Sequence, residues 1–86
     1  MIISFTPSGW QDCLWLQQHD RKMLLRLNKL LVESTRTPFH GTGKPEPLKG
    51  DLSGYWSRRI DDANRLVYSV TDERLLIVAC RHHYTD

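Results

Sequence analysis

Two prolines around a glutamate, Pro45-Glu46-Pro47, restrict what this chain can fold into more than any other feature. A proline locks its own φ at about −65° and lacks an amide donor, so the pair cannot sit inside a helix or in the middle of a sheet. Pro47 also steers Glu46 away from helical backbone and holds it extended. The segment therefore reads as an edge strand that presents a carboxylate at a set angle. It opens the stretch KPEPLKGDLSGYWSRRIDDANR, Lys44 to Arg65, in which Lys49, Arg58, Arg59 and Arg65 gather around the pair Tyr55-Trp56. A carboxylate beside several guanidinium groups suits the handling of phosphate.

The flanking sequence supplies the rest of a fold. Met1 to Phe5 is β-rich. Thr6 is placed to cap a helix whose first position is Pro7, where a missing donor costs nothing. Trp10, Cys13, Leu14 and Gln17 follow at helical spacing, with Trp15 and Leu16 widening the apolar face; at this spacing the tryptophans read as core. Gly9 weakens the first turn. His19-Asp20 marks a break, and Asp20 caps a second helix whose core stripe is Met23, Leu27, Leu30 and Leu31, with Leu24 at its border. Arg21, Lys22, Arg26 and Lys29 take the other face, which reads as solvated surface because Asp20 and Glu33 dilute its charge. This helix stops by Pro38. His40 lies in a loop freed by Gly41 and Gly43.

Four strands are then expected, Glu46 to Lys49, Tyr55 to Ile60, Arg65 to Val70 and Leu75 to Arg81, joined by turns at 50–54, 61–64 and 71–73. In the second of these turns, Asp61 and Asp62 serve turn geometry rather than a metal. The run Leu75-Leu76-Ile77-Val78-Ala79 suits a buried central strand. The fold class is α+β: two N-terminal helices packed on one face of a small, mostly antiparallel, twisted sheet. With 86 residues, a single domain over residues 1–86 is expected.

The net charge of +2 is too small to imply a nucleic-acid partner by itself; arrangement has to decide. Cys13 and Cys80 lack the spacing of a disulfide framework or a metal site and read as small buried apolar residues. No basic-then-apolar leader or apolar run of membrane length is present in the sequence, so a reduced, cytoplasmic, soluble domain without membrane contact is expected.

Strand parity sets Leu66, Tyr68 and Val70 on one face and Arg65, Val67 and Ser69 on the other. On the last strand Leu76, Val78 and Cys80 share a face, and Ile77, Ala79 and Arg81 the opposite one, with His83 continuing that row. Folding the hairpins brings Arg65 near Arg81, Arg59 near Arg65, and Glu46 opposite Arg59. Glu46, Arg59, Arg65 and His83 thus collect at one end of the sheet. These are the parts of a ribonuclease that needs no metal or other cofactor: a base for the 2′-hydroxyl, an acid for the departing 5′-oxygen, and a cation for the charge between them. Arginine suits the last task because its planar fork grips two phosphate oxygens and stays charged. An imidazole, with a reference pKa of about 6.5, suits the acid; a carboxylate, near 4.3, is a weaker base. The residues also permit a plain reading, in which Glu46 and Arg59 form a cross-strand ion pair and His82-His83-Tyr84 is a frayed tail. A metal site at Cys80, His82 and His83 lacks a further ligand at the right spacing.

The combination RTPF, GKPEPLK, LSG-aromatic-WSRRI, RLVY and CR-x-HY closely resembles the YoeB toxins of the RelE/ParE superfamily, and the resemblance extends over essentially the whole chain. It implies a RelE-like fold, similar to small microbial ribonucleases, and a ribosome-dependent endoribonuclease that cleaves mRNA in the ribosomal A site. It implies Glu46 as general base, Arg65 as phosphate stabiliser and His83 as general acid, with Lys49, Arg59 and Tyr84 contacting the RNA. The implied partners are the ribosome and a small antitoxin of the YefM/Phd kind, with operator DNA met only through the antitoxin complex, and a homodimer is compatible with it. The chain departs from the pattern at His82, where Tyr is usual, at Asn64, in place of a common His, and at Thr85-Asp86 beyond the usual closing Tyr. A different class, the non-enzymatic gyrase inhibitors of the ParE kind, has no need of an acid and a base.

Overall fold

In the computed structural model, which describes residues 1–82, the chain runs β1 (Ile2–Phe5), α1 (Pro7–His19), α2 (Arg21–Arg36), β2 (Glu46–Pro47), β3 (Trp56–Arg59), β4 (Arg65–Val70) and β5 (Arg74–Ala79), with a 3₁₀ turn at Gly50–Leu52. Local chemistry starts both helices where the sequence indicates. The Thr6 hydroxyl accepts from Gly9 N–H at 3.1 Å, and the Asp20 carboxylate accepts from Met23 N–H at 3.0 Å, each satisfying an amide that a helix terminus leaves without a partner. The five strands lie in the order β1-β5-β4-β3-β2. β1 runs parallel to β5, and every other pairing is antiparallel. The proline-bracketed strand β2 is an edge, as its missing donors require.

The core lies between the helices and one face of the sheet. From α2 it takes Met23, Leu27, Leu30 and Leu31, and from the strands Leu66, Tyr68, Leu75 and Ile77. The stripe on α2 is the one its spacing predicts, extended by Ser34. On α1 the buried residues are Gly9, Cys13 and Leu16, so the helix is rotated from the expected apolar face. Trp10 and Trp15 are not core: they remain 45% and 37% exposed. Close packing explains the rotation. A Cβ on Gly9 would come within 2.4 Å of Ile77 O, so the small side of α1 lies against β5 and the indoles are left at the rim. Trp10 there meets Phe5 edge-to-face.

Two registers differ from expectation. Glu46 pairs with Ser57, not with Arg59, and β2 ends at Pro47 rather than Lys49 because the backbone turns at Gly50, whose φ is 65°. The slip is two residues, an even number, so Glu46 keeps its face. Between Val67 and Tyr68 the pairing to β5 shifts from Ala79 to Ile77, leaving Val78 as the extra residue of a bulge. The bulge reverses parity beyond it: Cys80 joins the core with Ile77, where simple alternation put it with Leu76. Both cysteines are buried. Among the described residues, no helix is long and apolar enough to cross a membrane.

Candidate active site

Residues of three neighbouring strands meet on the sheet face away from the helices. Cross-strand partners share a face, so the pairs Glu46–Ser57, Ser57–Val67 and Arg59–Arg65 align Glu46, Ser57, Arg59 and Arg65 on one side. Arg65, at the start of β4, sends its guanidinium diagonally back across β3. Its Nη1 donates to the Ser57 hydroxyl at 3.3 Å and to Glu46 Oε1 at 3.2 Å. The Glu46 side chain is 57% exposed and that of Arg65 only 16%. A largely enclosed cation is thus held against a serine, with a carboxylate open to solvent above it.

Arg59 stands directly opposite Arg65. Like charges in that relation repel, an arrangement that an anion between them would relieve. Arg59 and Lys49 are both exposed. Neither cation has an ion-pair partner among the described residues. Arg59 also lines a cleft of 270 Å³ with Arg26, Lys29, Leu30, Thr42 and Ile60, so the basic side of α2 borders the site face.

Arg58 belongs to a different system. Alternation turns it to the helix side, where it is fully buried. Its Nε donates to Tyr68 Oη at 3.1 Å and its Nη1 to Glu33 Oε2 at 2.6 Å. Its remaining protons reach the carbonyls of Thr37, His40 and Thr42. The expected grouping of Arg58 with the phosphate-handling guanidiniums is therefore corrected, since one residue's offset in a strand reverses its face. Glu33, expected to be diluting surface charge, is the anchor of this network. Hydrogen bonds from the Thr42 hydroxyl and amide, together with Arg58, hold its carboxyl below the usual range.

The far side of the site is the turn between β3 and β4. Asp61 accepts from the amides of Ala63 and Asn64 at 2.9 and 2.8 Å and from Asn64 Nδ2 at 3.0 Å, the turn role that the sequence indicates. Burial works against its ionisation, but these bonds, aided by Arg26, keep its carboxyl below the usual range. The chain leaving β5 is secured here. Arg65 N–H donates to His82 O at 3.0 Å, and His82 N–H donates to Asn64 Oδ1 at 2.6 Å. Just before this, the Arg81 guanidinium lies 3.6 Å over the Trp15 ring, whose other neighbour is the stacked His19. His83 and Tyr84 lie outside the described residues.

The structure thus brings together Glu46 and Arg65, with Arg59 beside them. Ser57 is the site residue that sequence reasoning passed over, although its parity with Arg59 pointed to it. The Glu33–Arg58 and Asn64–His82 contacts carried no local signal, because the partners stand 25 and 18 residues apart.

The family model for a YoeB-like toxin of bacterial type II toxin–antitoxin systems matches residues 5–84. A toxin YoeB of Streptomyces coelicolor is 58% identical over 84 residues, covering 98% of this chain and 100% of the relative. Among solved structures, a YoeB/ParE toxin from Agrobacterium tumefaciens superposes with a TM-score of 0.94 at 48% identity, covering 98% of this chain and 100% of that one. The YoeB of Staphylococcus aureus is similar at 44% identity, covering 98% of both chains. It has been solved as a dimer, with a TM-score of 0.91, and in a heterotetrameric complex with YefM, with a TM-score of 0.89.

Proposed function

The chain belongs to the family of YoeB-like toxins of bacterial type II toxin–antitoxin systems, and from that premise we propose that it is a ribosome-dependent endoribonuclease cleaving mRNA in the ribosomal A site. The observation that carries this reading is the triad of Glu46, Ser57 and Arg65 on the open face of the sheet, with the residue preceding His83 bonded to the backbone of Arg65.

In this reading a scissile phosphate takes the place of Glu46 on the Arg65 fork. The guanidinium exchanges one anion for another, and the carboxylate is freed at the moment a proton acceptor is needed. Glu46 takes the proton of the ribose 2′-hydroxyl, whose oxygen attacks phosphorus. His83 gives a proton to the 5′-oxygen as its bond to phosphorus breaks. The products are a 2′,3′-cyclic phosphate and a 5′-hydroxyl. Arg65 and Arg59 hold the charge that develops on the phosphorane, each with donors preset by a strand rather than by solvent. Ser57 keeps the Arg65 fork in plane. Lys49 and Tyr84 contact the RNA. Side chains supply every proton in this scheme, so it calls on no metal or cofactor.

The neutralising partner is an antitoxin of the YefM/Phd kind, as in the Staphylococcus aureus complex, with acidic contacts to the Arg59–Arg65 face. Operator DNA is reached only through that complex, and self-association follows the example of the dimeric relative. Toeprinting of programmed ribosomes tests the catalytic reading. Glu46→Ala, Arg65→Ala and His83→Ala should each slow A-site cleavage by about 10²- to 10⁴-fold, with antitoxin binding kept by Glu46→Ala and His83→Ala and only weakened by Arg65→Ala. Undiminished cleavage by all three would refute it. Inhibition of gyrase supercoiling by the purified chain would favour the non-enzymatic class instead.

A further inference from the structure

The segment that follows β5 leaves the sheet under a series of constraints. Cys80 N–H donates to Asp12 Oδ2 at 3.1 Å, Arg81 lies over Trp15, and His82 is held on both sides of its backbone. Its carbonyl accepts from Arg65 N–H at 3.0 Å and its N–H donates to Asn64 Oδ1 at 2.6 Å. His82 has a φ of 64°, a conformation that residues with a Cβ seldom adopt without outside support. The Asn64 side chain is itself fixed. Its Nδ2 donates to Asp61 at 3.0 Å, and that orientation leaves Oδ1 facing His82. Asp61 stays ionised well below neutrality, so the arrangement persists across the working pH range.

One dipeptide, Asn64-Arg65, therefore carries the phosphate-gripping side chain and also fixes the His82 backbone where the chain leaves β5. We infer that Asn64 is a positioning residue for the acid step: it clasps the His82 backbone against the Arg65 amide, and so holds the chain's exit from β5 beside the phosphate-gripping fork. The inference deepens the ribonuclease reading and rests on it.

The test compares ribosome-bound mRNA carrying either oxygen or sulfur at the bridging 5′ position of the scissile phosphate. A thiolate departs without a proton, so a defect in the acid disappears on the sulfur substrate. Asn64→Ala should lower kcat about 10- to 100-fold on the oxygen substrate, the scale of a misplacement near 1 Å, with KM nearly unchanged, and should recover near wild-type rate on sulfur. Asn64→His, whose Nδ1 accepts at the same reach, should restore most of the oxygen-substrate rate. Equal losses on both substrates, or no loss, overturn the inference. Should Asn64→Ala fail to fold, Asn64→Ser, too short to reach His82, is read by the same criteria. A wild-type chain inert on both substrates overturns the parent reading and this one with it, whereas an active wild type with an unaffected variant overturns only this one.

Discussion

Arg58, Arg59 and Arg65 carry the same guanidinium into different environments, and the environment decides what each does. Arg58 is fully buried and spends its donors on Glu33, Tyr68 and the carbonyls of the segment after α2. Removing it takes a donor from each of these acceptors, leaves Glu33 with Thr42 alone, and opens a space where a fully buried side chain had been. Arg58→Met should therefore destabilise the protein by about 3–5 kcal/mol, read as a lower urea midpoint. The other end of the network titrates. Hydrogen bonds from Thr42, with Arg58, depress the Glu33 carboxyl from an unperturbed value of 4.5, so the folded state binds this proton less readily than the unfolded chain does. The sign follows: the contribution to stability is fully present above pH 4.5 and is lost as the pH falls through the lower folded value. Urea titrations should show stability declining below that pH, with Glu33→Gln less stable at neutrality and less sensitive to acid. Equal acid sensitivity in the two proteins would exclude Glu33 as a source.

Among the elements, α1 shows how packing overrides an apolar pattern. Its amphipathic signal is blurred by two tryptophans, and the deciding residue is the one without a side chain. Gly9 lets the helix settle on β5 with Ile77 O at 2.4 Å from where a Cβ would stand. Alanine favours helix over glycine by about 1 kcal/mol, yet Gly9→Ala should destabilise by roughly 1–3 kcal/mol, because backbone on both sides of the contact has to shift. A gain in thermal stability would show that α1 can move away without loss. β2 makes the complementary point. Only two residues long, it has little pairing of its own, and Pro47 denies it a ladder donor. Its Glu46 is therefore presented from an edge, where the Glu46–Arg65 ion pair can open without breaking a central strand.

At the scale of the whole molecule, the helices and one sheet face enclose the core, and the opposite face carries Glu46, Arg59 and Arg65. Cys80 lies on the enclosed side, and burial, with Asp12 and Cys13 nearby, pushes its thiol up to about 12. The thiolate is the reactive form, so Cys80 should resist iodoacetamide at pH 8 in the folded protein and react only when urea unfolds it. Mass-spectrometric labelling across the urea transition checks this, and rapid labelling of folded protein would contradict the packing. Much of this organisation was legible from residue order. The Thr6 and Asp20 caps, the α2 stripe, the span of β4 and the edge position of Pro45-Glu46-Pro47 follow from interactions within a few residues of each position. The common face of Glu46, Arg59 and Arg65 followed from alternation, and a register error of two residues left it intact. What lay beyond reach was the burial of Arg58 against Glu33, the rotation of α1, the bulge at Val78 and the Asn64 clasp on His82. By itself the sequence determined which segments are helix or strand, where they start, and which polar groups share a side, because backbone dihedrals, caps and strand parity are local. The tertiary structure alone decided how closely the elements approach and which distant partners satisfy the buried donors, because those outcomes depend on shape and hydrogen-bond demand summed over surfaces that meet only after the chain has folded.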